Sequence, residues 1–141
     1  MSSKQVLVDS DAWVGYYLSN DALHKRAVAG FEQLEKANYV PTINSQIIGE
    51  VATVLSHKSG QKIVQSFISD IENSGITIMY VDKKLHDVAM KLFLKIKFKG
   101  ISYVDCINVA VIRETGIESI FAYDKFYHKQ FSITNLAYPQ Y

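Results

Sequence analysis

The chain has 141 residues, 48% of them hydrophobic, a formal net charge of +1 and a single cysteine, Cys106. That length fits one domain with its own core, and no apolar run approaches the ~20 residues of a membrane span. One cysteine excludes an intramolecular disulfide framework, and a charge near zero leaves a nucleic-acid partner open, since a basic rim can coexist with an acidic cleft. The start "MSSK" lacks a charged region followed by an apolar one. A single cytoplasmic domain over residues 1–141 is therefore expected.

"QVLVD" reads as a short buried strand and "DAWVGYYL" as helical. "DALHKRAVAGFEQLEK" is a helix with Asp21 as N-cap and Leu23, Ala27, Phe31 and Leu34 along one face. "NYVPT" is a short strand with Pro41 near its end. "NSQIIGEVATVLSHKSG" is a helix with Ile47, Val51, Val54 and Leu55 on one stripe and Gly60 at its stop. "QKIVQSFISDIENSG" gives a further helix ending at Gly75, and "ITIMYV" a buried strand. "DKKLHDVAMKLFLKIKFKG" is a helix capped by Asp82 and ended by Gly100, and "SYVDCINVAVIRETG" one capped by Ser102. "IESIFAYD" holds the next strand, "KFYHKQF" a short helix or turn, and "SITNLAY" an edge strand. Apolar strands alternating with helices imply parallel βαβ units and a sheet covered on both faces. In open sheets of this kind ligands sit beyond the carboxyl ends of the strands. Two strands end there on acids, Asp9 and Asp124.

Two more acids sit oddly on helices. Glu50 borders the stripe of Ile47, Val51 and Val54, and Asp105 has Ile101 and Val109 on its own side. An ionised carboxylate at the rim of a core costs several kcal/mol unless paired. No Lys or Arg is an immediate helical neighbour of either one. A divalent cation offsets that cost for several carboxylates at once, and Mg²⁺ and Mn²⁺ prefer oxygen ligands. Each acid alone also has an ordinary reading. Asp9 and Asp124 can be strand-end turn residues, Glu50 a boundary glutamate, and Asp105 the partner of Ser102 in a capping box.

Taken together, "VLVDSDAWV", Glu50 in "NSQIIGEV", Asp105 in "ISYVDCINVAV" and Asp124 in "FAYDKFY" resemble the acidic signature of PIN domains, in particular the VapC-type toxins. "DALHKRA" is similar to the acid–His–Ala run of that family's second helix. The likeness extends from Gln5 to about Phe131. It implies a three-layer α/β/α fold with a mainly parallel central sheet of about five strands. It also implies a metal-dependent endoribonuclease, with Asp9, Glu50, Asp105 and Asp124 around one or two Mg²⁺ or Mn²⁺ ions. Water would attack phosphorus in line, and one of the carboxylates would take its proton. Asp11 would act as an accessory residue, from the second shell or through water, and Ser10 and Ser102 would orient ligands by hydrogen bonds. The resemblance further implies a small cognate antitoxin covering the cleft and a homodimer.

Other residues read plainly. His24, His57, His86 and His128 lack metal-ligand spacing. Cys106 reads as a small core residue, and Lys25, Arg26, Arg113, Lys125 and Lys129 as solvated surface that could line an RNA path. One rival is a phosphatase of the haloacid-dehalogenase type, with Asp9 as nucleophile and Asp11 as acid. It expects Thr or Val where Trp13 stands, and later acidic and lysine motifs that do not fit. A phospho-acceptor receiver domain lacks its late lysine after "IFAYD". A catalytically silent PIN-like binding module would gain nothing from keeping mutually repelling carboxylates.

Overall fold

The computed structural model describes residues 4–138. Five strands are formed: β1 (Lys4–Val8), β2 (Tyr39–Asn44), β3 (Thr77–Met79), β4 (Ser119–Phe121) and β5 (Thr134–Asn135). They make one sheet in the order β3-β2-β1-β4-β5, and every ladder is parallel. The helices between them are α1 (Ser10–Tyr17), α2 (His24–Lys36), α3 (Ser45–Ser59), α4 (Gln61–Asn73), α5 (Lys83–Lys95), α6 (Tyr103–Thr115) and α7 (Phe126–Phe131).

Side-chain alternation along the strands sorts the core into two layers. Val6 and Val8 of β1 and Phe121 of β4 face a cluster built with Trp13, Leu34, Ile47, Val51, Leu55 and Phe67, from α1–α4. Leu7 and Ile120, one residue out of phase, face Leu85, Ala89, Ile107, Val111 and Tyr127, from α5–α7. The result is the three-layer α/β/α arrangement implied by the sequence.

From β1 the chain winds outward through β2 to β3, and then returns to the other side of β1 as β4. The strand order therefore reverses between β1 and β4, and the crevice at their carboxyl ends is where such sheets bind ligands. Asp9 follows β1 directly, and its N–H continues the ladder by donating to the Phe121 carbonyl at 3.1 Å. The indole N–H of Trp13 donates to the Val8 carbonyl at 3.1 Å, tying α1 back onto the strand end.

Several elements depart from expectation. Asp21 does not cap α2; its carboxylate accepts from the Leu23 N–H in the turn before the helix, and Leu23 takes the cap position without a side-chain bond. Asp82 does cap α5, accepting from Leu85 N–H. That helix stops at Lys95, short of Gly100, where Ile96 turns extended while still packing on the core. β3 is only half-buried, since it forms the sheet's edge. β2 is longer than expected and carries Pro41 inside it. β3 joins β2 only from Thr42 onward, so the missing N–H falls where β2 has a neighbour on one side. Val54 is half-buried, while Ile47, Val51 and Leu55 are fully enclosed. Among the described residues no helix is long and apolar enough to cross a membrane.

Gly30 lets α2 approach the sheet. A Cβ there would lie 2.3 Å from Cζ of Phe121. Gly30→Ala gains about 1 kcal/mol of helix propensity, but overpacking costs ~1–3 kcal/mol, and the clash is with a buried ring. The expected result is a lower melting temperature; a higher one in thermal denaturation would contradict this packing.

Candidate metal centre

The centre is built on strand ends and helix starts. Asp9 is buried, with 3% exposure, and N-caps α1. Its Oδ1 accepts from the Ser10 N–H at 2.8 Å and from Asn108 Nδ2 at 3.0 Å, and its Oδ2 accepts from the Tyr127 hydroxyl at 2.9 Å. Asp11, in the first turn of α1, accepts from the Tyr123 N–H at 3.0 Å. Its Oδ1 is buried and has no hydrogen-bond partner. Asp124, after β4, is exposed. One carboxylate oxygen from each of Asp9, Asp11 and Asp124 lies within 4.8 Å of the others.

Asp105 joins from α6. Its Oδ2 accepts from the Ser102 N–H at 2.9 Å while Ser102 Oγ accepts from the Asp105 N–H at 3.1 Å, so the capping box is real. The box leaves Oδ1 free to face the cluster, where it is 3.3 Å from the Tyr127 hydroxyl. Capping and site membership are therefore compatible for Asp105. Glu50 occupies an exposed position on α3, beside Ser10 and within the field of Asp105.

Electrostatics confirm that these carboxylates feel one another. Burial, with the charges of Asp11 and Asp105, pushes the Asp9 carboxyl up to about 8, against the hydrogen bonds from Ser10 and Tyr127. Burial chiefly, with Asp124, pushes Asp11 up to about 6. Glu50 and Asp124 are raised by partial desolvation first and by Asp105 second. Among the described residues the ion pairs are Lys83–Asp87 and Lys84–Glu114, so no Lys or Arg neutralises the cluster. Arg26 is held on a ring instead, its guanidinium 4.6 Å from the centroid of Tyr123, the residue before Asp124. An all-carboxylate donor set with one orphaned buried oxygen fits a hard divalent cation.

Of the sequence-derived residues, Asp9 and Asp124 meet directly. Asp105 reaches Asp9 through Tyr127, and Glu50 stands at the rim. Asp11, expected only as an accessory, contributes an oxygen to the tightest group. Four supporting residues escaped the sequence reading. Asn44 caps α3 at Ile47 N–H, 3.0 Å, and donates to Asn108 Oδ1 at 2.7 Å. Asn108 and Tyr127 hold Asp9. Asn135 donates to the carbonyls of Ala122 at 2.8 Å and Asp124 at 3.3 Å. The available signals were an Asn directly before a helix, for Asn44, and an amide inside the apolar run "CINVAVI", for Asn108. Cys106 is buried, and its thiol is pushed up to about 11 by burial and by Asp105, which removes it as a thiolate nucleophile. His24 packs by its ring nitrogen on the Gly15 carbonyl at 2.8 Å.

The family model described as PIN domain matches residues 6–130. The chain belongs to the PIN domain family. Relatives within it include the 23S rRNA-specific endonuclease VapC20 of two Mycobacterium tuberculosis strains, 24% identical over 119 residues, which covers 84% of this chain and 88% of the relative. The crystal structure of M. tuberculosis VapC20, described as a sarcin-ricin loop cleaving toxin, superposes with a TM-score of 0.75 at 22% identity, over 90% of this chain and 92% of that one. VapBC2 from Rickettsia felis, crystallised on a DNA fragment from its promoter, gives a TM-score of 0.68 at 15% identity, over 93% and 96%. These likenesses confirm that this sheet and helix arrangement is the PIN fold.

The raised carboxyls give the PIN centre a pH signature. A carboxyl whose folded value lies above its unfolded value binds extra protons in the native state, so its stabilising contribution is present at low pH and lost as pH rises through the folded value. The loss begins at the ordinary carboxyl value near 3.8 and is complete at about 6 for Asp11 and about 8 for Asp9, so the window runs from about 4 to about 8. In EDTA the protein should melt several degrees higher at the low end of this window than above it, and Asp9→Asn should flatten the difference. A melting temperature that climbs with pH across the window would contradict the arrangement.

Proposed function

We propose that this PIN domain is a divalent-metal-dependent endoribonuclease that hydrolyses RNA phosphodiester bonds, and that it is the toxin of a VapBC-type toxin–antitoxin pair. The observation that carries this reading is the convergence of Asp9, Asp11 and Asp124 oxygens within 4.8 Å, with no basic side chain among the described residues paired to them. In this reading Asp9, Asp11, Asp105 and Asp124 hold Mg²⁺ or Mn²⁺, with Glu50 closing the rim. When bound, such an ion supplies Lewis acidity at a phosphoryl oxygen and lowers the pKa of water.

The chain's own groups do the rest. Glu50 and Asp124 are exposed and their carboxyls are raised, so either is suited to take a proton from the attacking water. Asp9, buried and held by three donors, keeps a fixed position. Beside Asp124, Arg26 lies 5.8 Å and Lys125 5.1 Å from the Tyr138 ring. Cations kept on aromatic faces can meet phosphates, and the rings can stack bases. Ser102 and Ser10 hold Asp105 and Glu50 in orientation.

The likeness to VapC20 makes structured ribosomal RNA the first substrate to try, and the likeness to VapBC2 supports a cognate antitoxin. A cation from that partner would pair with Asp9 or Asp105 and compete with the metal. A homodimer and a cytoplasmic location complete the proposal.

Purified protein should cut RNA with Mn²⁺ or Mg²⁺, spare it with EDTA, and leave small phosphomonoesters intact. Asp9→Asn and Asp105→Asn should each slow cleavage about 100-fold or more, since losing a ligand costs at least as much as losing outer-sphere support. Native-rate cleavage by either variant would reject the assignment. Arg26→Ala should weaken RNA binding about uniformly across sequences and lower the salt slope by about 1. An unchanged slope in filter binding would remove Arg26 from the RNA path.

A further inference from the structure

Asp9 and Asp105 share a single hydrogen-bond donor. The Tyr127 hydroxyl carries one hydrogen, yet it stands 2.9 Å from Asp9 Oδ2 and 3.3 Å from Asp105 Oδ1. Tyr127 is fully buried in α7. Its oxygen also accepts from Asn108 Nδ2 at 3.0 Å.

The direction of that hydrogen is set from a distance. Asn44 Oδ1 is fixed by the Ile47 N–H, which turns Asn44 Nδ2 towards Asn108 Oδ1. The bond from Asn44 in turn fixes which end of the Asn108 amide faces Asp9. One Asn108 hydrogen goes to Asp9 Oδ1 and the other to the phenol oxygen. With that lone pair filled, the phenol hydrogen points at the two carboxylates.

A carboxylate offers about four acceptor positions. On Asp9, Ser10 and Asn108 fill both of those on Oδ1, and Tyr127 takes one on Oδ2. A single position remains.

We propose that Tyr127, aimed by Asn108, is a positioning residue that holds Asp9 and Asp105 in register and leaves Asp9 one open acceptor position, on Oδ2. The proposal rests on the metal-dependent reading of the site. Its consequence is cation selectivity. Mg²⁺ demands near-ideal octahedral geometry, whereas Ca²⁺ tolerates irregular and bidentate carboxylates. A carboxylate locked in place and limited to one lone pair, as Asp9 is, favours the smaller ion. Releasing it penalises Mg²⁺ more than Ca²⁺.

Calorimetric titration of wild type and Tyr127→Phe with Mg²⁺ and with Ca²⁺, under conditions without RNA, tests this. The variant keeps the ring that packs 4.1 Å from Phe126. The expected result is a Mg²⁺ Kd raised about 10-fold, the usual scale for outer-sphere support, with a clearly smaller change for Ca²⁺. A hydroxyl that merely satisfies burial would lower the melting temperature and leave both Kd values unchanged, and that outcome overturns the proposal. Equal weakening for both ions also overturns it, because it signals collapse of the site. A wild-type protein that binds neither ion rejects the metal reading itself, and this proposal with it. If Tyr127→Phe does not fold, Asn108→Ser decides on the same criteria: a hydroxyl has one hydrogen and cannot serve both Asp9 and Tyr127.

Discussion

Mutual repulsion among carboxylates at the end of β1 and β4 is the constraint around which this molecule is arranged. Asp9 sits at its centre, buried beside Asp11 and Asp105. An effective burial penalty of several kcal/mol per ion has to be met locally. Hydrogen bonds to a charged group contribute roughly 1.5–3 kcal/mol each. Asp9 receives three of them, yet its carboxyl stays raised to about 8, so the fixed donors offset the penalty only in part. What they leave over is a negative pocket that a cation stabilises further. The same excess charge that strains the metal-free fold is thus the source of the site's affinity.

The sheet makes this possible because its winding reverses beside β1. The chain leaves both strand ends there on acids, Asp9 after β1 and Asp124 after β4. Trp13 pins α1 to the last carbonyl of β1, and Asp9 N–H pins β1 to β4. Hence Asp9 is carried on backbone tied at both its strand and its helix. Its side chain reaches only as far as the cap and the Asn44–Asn108–Tyr127 series allow.

Much of this was legible beforehand, and the rest was not, for identifiable reasons. Apolar runs ending on Asp9 and Asp124 exposed the strand ends, because a buried parallel strand tolerates charge only at its terminus. Asp105 was legible as both a cap and a site residue, and the structure uses its two oxygens for the two purposes. The rank of Asp11 was harder: its importance lies in a partnerless oxygen, which depends on what the fold fails to bring near it. Tyr127 was hidden among nine tyrosines, since nothing local distinguishes a phenol that meets two acids from one that fills a core. Asp21 misled because Asp before a helix serves either as a cap or as a turn residue two positions earlier, and both suit the same sequence.

Asn135 shows how an edge can stop early without damage. β5 is only two residues long, and the chain turns away after it. The Asn135 side chain then receives the Ala122 N–H and donates to the Ala122 carbonyl, as a further peptide unit would. An amide side chain thereby substitutes for missing strand, and both backbone groups of Ala122 are partnered. Aspartate has the same outline but no hydrogen to give the Ala122 and Asp124 carbonyls, and it would bring one more charge towards a crowd that already repels itself. The sheet's shortest strand therefore depends on an amide at this position.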